Sequence, residues 1–202
     1  MSATARGPAL ALIALLAAGC ATEDQIRGAL TDVNHEFRLQ YEAILAENGT
    51  RVYKVKRQEA FNAMRIALTR LAMRMRDQTP ELGYLNVYAP APVPLSPDEW
   101  RQAAERDTPK LREIAKKHVG VLAYFVKFEP EGLEIVINAT TIEVPTGTEV
   151  SLTMRMREIA PPPSGMPRRE YPPPSAVRVG LDKIWRELEA ELKTSGVAVR
   201  PR

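Results

Sequence analysis

The chain has a single cysteine, Cys20, and two histidines, His35 and His118. A lone cysteine has no intramolecular partner, so no disulfide framework holds the fold. Two isolated imidazoles give no metal-ligand spacing, and no metal or cofactor site is expected. There is no Gly-rich phosphate loop, no Gly-x-Ser-x-Gly and no His-Glu-x-x-His, so the chemistry of those motifs has no foothold. After residue 20 no apolar run approaches the roughly 20 residues of a membrane span. Nor does one sign of charge dominate. The leader contributes Arg6 and no acid, which leaves 27 basic against 25 acidic residues from position 20 onward. Such a balance does not advertise nucleic-acid binding.

What is present begins with that leader. Arg6 precedes an unbroken apolar stretch, Leu10 to Leu16, followed by Ala17, Ala18, Gly19 and Cys20. Charge, apolar stretch and small residues, in that order, form a secretory signal over 1–19. The small residues ending in cysteine resemble the lipobox of bacterial lipoproteins. That resemblance implies cleavage before Cys20, diacylglycerol on its thiol and an acylated new amine. Ala21, where aspartate often retains family members in the inner membrane, implies the periplasmic face of the outer membrane. Acyl chains on one residue anchor firmly, at about 0.8 kcal/mol for each buried methylene.

The 183 residues from Cys20 suit one domain with appendages, or two small ones. Ile26, Leu30, Val33, Phe37, Tyr41 and Ile44 recur at helical spacing, predicting a helix over 22–47 within a lipid-anchored segment, 20–49. Thr22 is its expected cap, and Asn48-Gly49 its left-handed stop. The α+β domain is then expected over 50–196, with a tail at 197–202. Its reading runs strand 50–56, helix 58–72, strand from Met73, turn 79–83 and strand 84–88. Ala89 to Pro94 reads as an extended link within the Pro-rich loop 89–97. Ser96-Pro97-Asp98-Glu99 starts a helix, and Thr108-Pro109 restarts a second one to Lys117. Gly120 to Phe128 reads as a central strand, followed by strands 133–144 and 149–158, a three-strand meander. Val150, Leu152, Met154 and Met156 alternate inward. Pro161 to Pro174 reads as a mobile loop within 159–174 that joins no ladder. Ser175 caps a last helix whose stripe is Val177, Leu181, Ile184, Leu188 and Leu192, ended by Gly196. The sum is a two-layer α+β fold, with a mainly antiparallel sheet carrying helices on one face, preceded by an N-terminal helix.

Residues 109–150, with Leu111 to Lys117, the apolar Gly120 to Phe128 and Glu143 to Val150, resemble domains of the curli-secretion lipoprotein and of the lipoprotein activators of penicillin-binding proteins. The order of elements over 50–88, with the final helix, is similar to the C subunit of the outer-membrane β-barrel assembly machinery. Both resemblances imply non-enzymatic envelope accessories.

Among charged groups, Arg155 and Arg157 on one strand face, with Arg168 and Arg169 in the Pro-rich loop, form a candidate partner-binding group, since arginine grips carboxylates and phosphates in bidentate fashion. Glu129, Glu131, Glu134 and Glu143 would be the material for a carboxylate-based hydrolase, were two to share a cleft with separated pKa values. His118 is expected at a helix end and His35 in solvent. Met64, Met73, Met75, Met154 and Met156 read as core filler. The expected function is a non-enzymatic, lipid-anchored accessory that binds an envelope partner. The alternative is a carrier of a small apolar or lipid ligand between helix and sheet.

Overall fold

Local capping fixes where the elements begin in the computed structural model, which describes residues 21–195. The Thr22 hydroxyl accepts from the Gln25 N–H while the Gln25 side chain accepts from the Thr22 N–H, and this reciprocal cap opens α1 (Glu23–Asn48). Ile26, Phe37, Tyr41 and Ile44 are buried, so α1 packs on the domain and is no free stalk. Its stop differs from expectation. Gly49 is right-handed, and glycine is needed there because a Cβ would lie 2.5 Å from the Leu45 carbonyl oxygen.

Next come β1 (Thr50–Tyr53), α2 (Arg57–Arg70), β2 (Arg74–Thr79), β3 (Tyr84–Pro90), α3 (Pro97–Val119), β4 (Leu133–Val144), β5 (Gly147–Glu158) and α4 (Pro174–Thr194). Every strand pairing is antiparallel, in the order β1-β5-β4-β3-β2. One sheet face carries Leu85, Val87, Ile135, Ile137, Ala139, Val150, Leu152, Met154 and Met156, all buried. These side chains share one core with Phe61, Met64 and Leu68 of α2 and the full expected stripe of α4. The fold is α+β, with an antiparallel sheet layered against helices.

Several elements correct the reading of the sequence. Gly120–Phe125 is a 3-10 segment, not a strand. An apolar run of this length does not reveal its period, and β3 takes the place beside β4 that the run was expected to fill. Of the expected three-strand meander only the β4–β5 hairpin remains, and β3, which precedes α3, flanks β4 on its other side. The resemblance over 109–150 loses the strand on which it leaned. Thr108-Pro109 restarts nothing, because α3 runs through it. Trp100, Ala103, Ala104, Leu111, Ile114 and Ala115 keep one buried side across the proline, and the Thr108 hydroxyl donates to the Ala104 carbonyl at 2.7 Å.

Ala89 and Pro90 belong to β3, and the chain then folds into turns closed by Val93 N–H to Pro90 and Leu95 N–H to Pro92, leaving no extended link. Ser175 does not cap α4. Its N–H and hydroxyl both donate to Asp107 of α3, at 2.7 and 2.8 Å, so the cap comes from another helix. Met75 is 36% exposed on the edge strand β2, whereas Met64, Met73, Met154 and Met156 are buried. Gly196, the 1–19 leader, Cys20 and the 197–202 tail lie outside the described residues.

Candidate functional site

The Pro-rich stretch before α4 is a strap fastened to the body, not a free loop. Arg27 donates to the Gly165 carbonyl and Asn34 to the Arg168 carbonyl, both at 2.7 Å. β1 pairs only the first half of β5, and its last partner is Ser151. Beyond that point the Met156 N–H would stand open, and the Glu170 carbonyl accepts it at 3.2 Å. Tyr171 is buried, its ring centroid 5.4 Å from that of Tyr41.

Between α1, α3, the strap and the end of the sheet lies a cavity of about 80 Å³. Ile26, Ala29 and Val33 line it from α1, and Trp100, Leu111, Ala115 and Val119 from α3. Leu133, Met156, Phe128 and Tyr171 complete the apolar wall, with Asn34, Lys127, Glu129 and Arg169 as its polar and charged members. Trp100 is buried, and its indole N–H has no acceptor. A buried donor left unpaired costs about 1–3 kcal/mol, which the surrounding packing must offset.

The other sheet face holds a separate polar surface. The Tyr84 hydroxyl and the Asn86 amide both donate to Asn138 Oδ1, at 2.9 and 2.6 Å, and Asn138 donates to the Thr153 hydroxyl at 3.2 Å. A bulge between Met75 and Asp77 turns Arg76 out of the ladder. Its guanidinium lies 4.2 Å from the Tyr88 ring centroid and donates to Glu134 at 2.9 Å. Arg157 donates to the same carboxylate at 2.7 Å. Burial alone would raise the Glu134 pKa. The two guanidinium hydrogen bonds outweigh it and hold the carboxyl below its ordinary value.

The four arginines singled out in the sequence do not meet. Arg157 is engaged with Glu134. Arg155 lies 5.8 and 5.9 Å from the ring centroids of Tyr41 and Tyr171. Burial raises the Tyr41 hydroxyl pKa, and Arg155 offsets part of that rise. Arg169 donates to Glu158 at 2.8 Å, and Arg168 is exposed. Arg74 and Arg76 are the arginines that join Arg155 and Arg157 on the sheet face. Their alternation was visible in Met73-Arg74-Met75-Arg76, but the pairing that brings 74–90 against 134–157 was not.

The glutamates are scattered too. Glu134 and Glu143 stand near opposite ends of β4, roughly 30 Å apart at strand rise. Glu129 pairs with Lys127 at 3.0 Å, and Glu131 is exposed in a turn. His118, at the end of α3, bonds Asp32 of α1 at 2.7 Å, and His35 is exposed. Among the described residues no group of three metal-binding side chains gathers.

No family model, curated protein or solved structure matches this chain.

Proposed function

We propose that this chain is a non-enzymatic accessory protein, anchored through acylated Cys20 at the periplasmic face of the outer membrane, that docks an envelope protein through its α1–α3 cavity. The observation that carries the reading is an apolar cavity that also counts Lys127, Glu129 and Arg169 among its lining. An apolar pocket with charged margins is how a protein receives one anchoring side chain of a partner. Size favours this occupant. A cavity of about 150 Å³ takes up benzene, so one of about 80 Å³ suits a small aliphatic side chain and not a whole lipid. Confinement at a membrane raises effective concentration, so a modest interface suffices.

The test places a photo-crosslinking residue at Asn34 or Lys127 of the membrane-bound protein. A discrete adduct is expected, and Ala29→Leu, which fills the cavity, should abolish it while the circular dichroism spectrum stays unchanged. An adduct indifferent to Ala29→Leu, or none at either position, sinks the proposal. The same apolar cavity also favours a second reading, a carrier of a small apolar molecule. Solvent extraction of the purified protein followed by mass spectrometry separates the two, since only the carrier releases a stoichiometric small molecule.

A further inference from the structure

Eight large apolar side chains stand exposed among the described residues, and three of them, Val121, Tyr124 and Phe125, fall within five positions. They are 86%, 70% and 70% exposed. The other five are dispersed along the chain and need no special account. The three sit on the 3-10 segment Gly120–Phe125, and local contacts hold that segment in shape. Ala123 is buried against Ala115 and Val119. Arg112 lies 5.0 Å from the Tyr124 ring centroid and donates to the Val126 carbonyl at 3.3 Å. The Tyr124 and Phe125 rings meet edge to face at 5.6 Å. The segment is therefore an apolar knob that holds its form without cover.

Its position indicates what covers it. Ala21, the first described residue, packs on the same Ala115–Val119–Ala123 cluster. The residue before it is Cys20, and the apolar Leu10 to Leu16 lies a few positions further back. The described chain thus begins beside the knob. Lys116 and Lys117 are exposed one turn upstream on α3 and form no ion pair among the described residues, and Lys127 is exposed just downstream. Of the nearby acids, Glu113, Glu129 and Asp24 are paired, with Lys110, Lys127 and Arg27, while Glu23 and Glu131 are exposed and form no ion pair among the described residues.

We propose that Val121, Tyr124 and Phe125 insert into the bilayer beside the anchor. This rests on the anchored reading given above. Tyrosine and phenylalanine beside lysines suit the level of the headgroups, with the rings in the apolar boundary and the ammonium groups near lipid phosphates. The knob and the acyl chains would then form two points of attachment and fix which way the body faces.

The experiment uses the full chain, processed in a bacterial host and reconstituted in phosphatidylethanolamine–phosphatidylglycerol vesicles. Phe125→Trp places a reporter in the knob. Leu82→Trp places one at the β2–β3 turn, an exposed site at the opposite end of the sheet. Lipid brominated in its acyl chains should cause roughly a twofold loss of the emission added by Phe125→Trp and leave that of Leu82→Trp unchanged. An unquenched Phe125→Trp in acylated protein, or equal quenching at both sites, overturns the proposal. So does a blue shift of Phe125→Trp that tracks protein concentration without lipid, which would mean that a second copy covers the knob. Intact mass shows separately whether Cys20 is acylated. If it is not, the anchored reading fails, and the same quenching on the unmodified chain mixed with vesicles still decides the knob.

Discussion

At the scale of single residues, Glu134 organises the polar sheet face, since Arg76 and Arg157 converge on it from β2 and β5. Glu134→Gln keeps the shape and removes the charge, and a loss of about 1–3 kcal/mol is expected in urea unfolding at neutral pH. An unchanged midpoint would mean that water already screens both ion pairs. The folded carboxyl titrates below the unfolded one. Its contribution is therefore present above the ordinary glutamate value, about 4.3, and is lost as pH falls through the lower folded value. Asp107 has the opposite sign. Burial raises its pKa, and the hydrogen bonds from Ser175 offset only part of that rise. Its contribution is fully present below the ordinary aspartate value, about 3.9, and is lost as pH rises through the raised folded value. Asp107→Asn should flatten the stability profile in that window, and a profile as steep as the parent's would show that another group titrates there.

At the scale of elements, α3 keeps a proline in its interior where an N–H would otherwise bond the Glu105 carbonyl. Pro109 is exposed, so Pro109→Ala sacrifices no packing and should raise stability by about 1–3 kcal/mol in thermal melts. A lowered melting temperature would show that the proline sets a bend the core requires. The strap is a structural part, and removing it should damage the fold. Tyr171→Ala opens a hole against Tyr41 and should cost about 2–4 kcal/mol, whereas a strap that merely overlies the surface would leave the melt unchanged. These two elements also show what the sequence could reveal. The buried side of α3 keeps helical period through Pro109, so its continuity was legible to a reader who weighed period above proline. The alternation of β5 and the stripe of α4 were legible for the same reason, and the two Ser/Thr caps from three-residue spacing. The strap was not, because its partners Arg27 and Asn34 are more than 130 positions away. Nor was the fate of Gly120–Phe125, whose apolar run carries no period that separates strand from helix. For the cavity, the sequence offered Trp100 near a helix start, but an indole left without an acceptor is visible only once α1 and α3 are packed together.

At the scale of the whole molecule, the seat of Ala21 against α3 leaves no spacer between Cys20 and the body. On the anchored reading, Cys20→Ser should move the protein from the detergent to the aqueous phase on phase partition, and retention in detergent would mean that something other than acyl chains holds it. Such anchoring confines many copies to two dimensions, where open sheet edges would meet often. β1 presents only four residues. β2 reads Arg-Met-Arg-Asp-Gln-Thr and breaks its own register between Met75 and Asp77. A charged, kinked margin is a poor template for a neighbouring strand. Surface density can therefore climb without the sheets of adjacent molecules fusing into fibres.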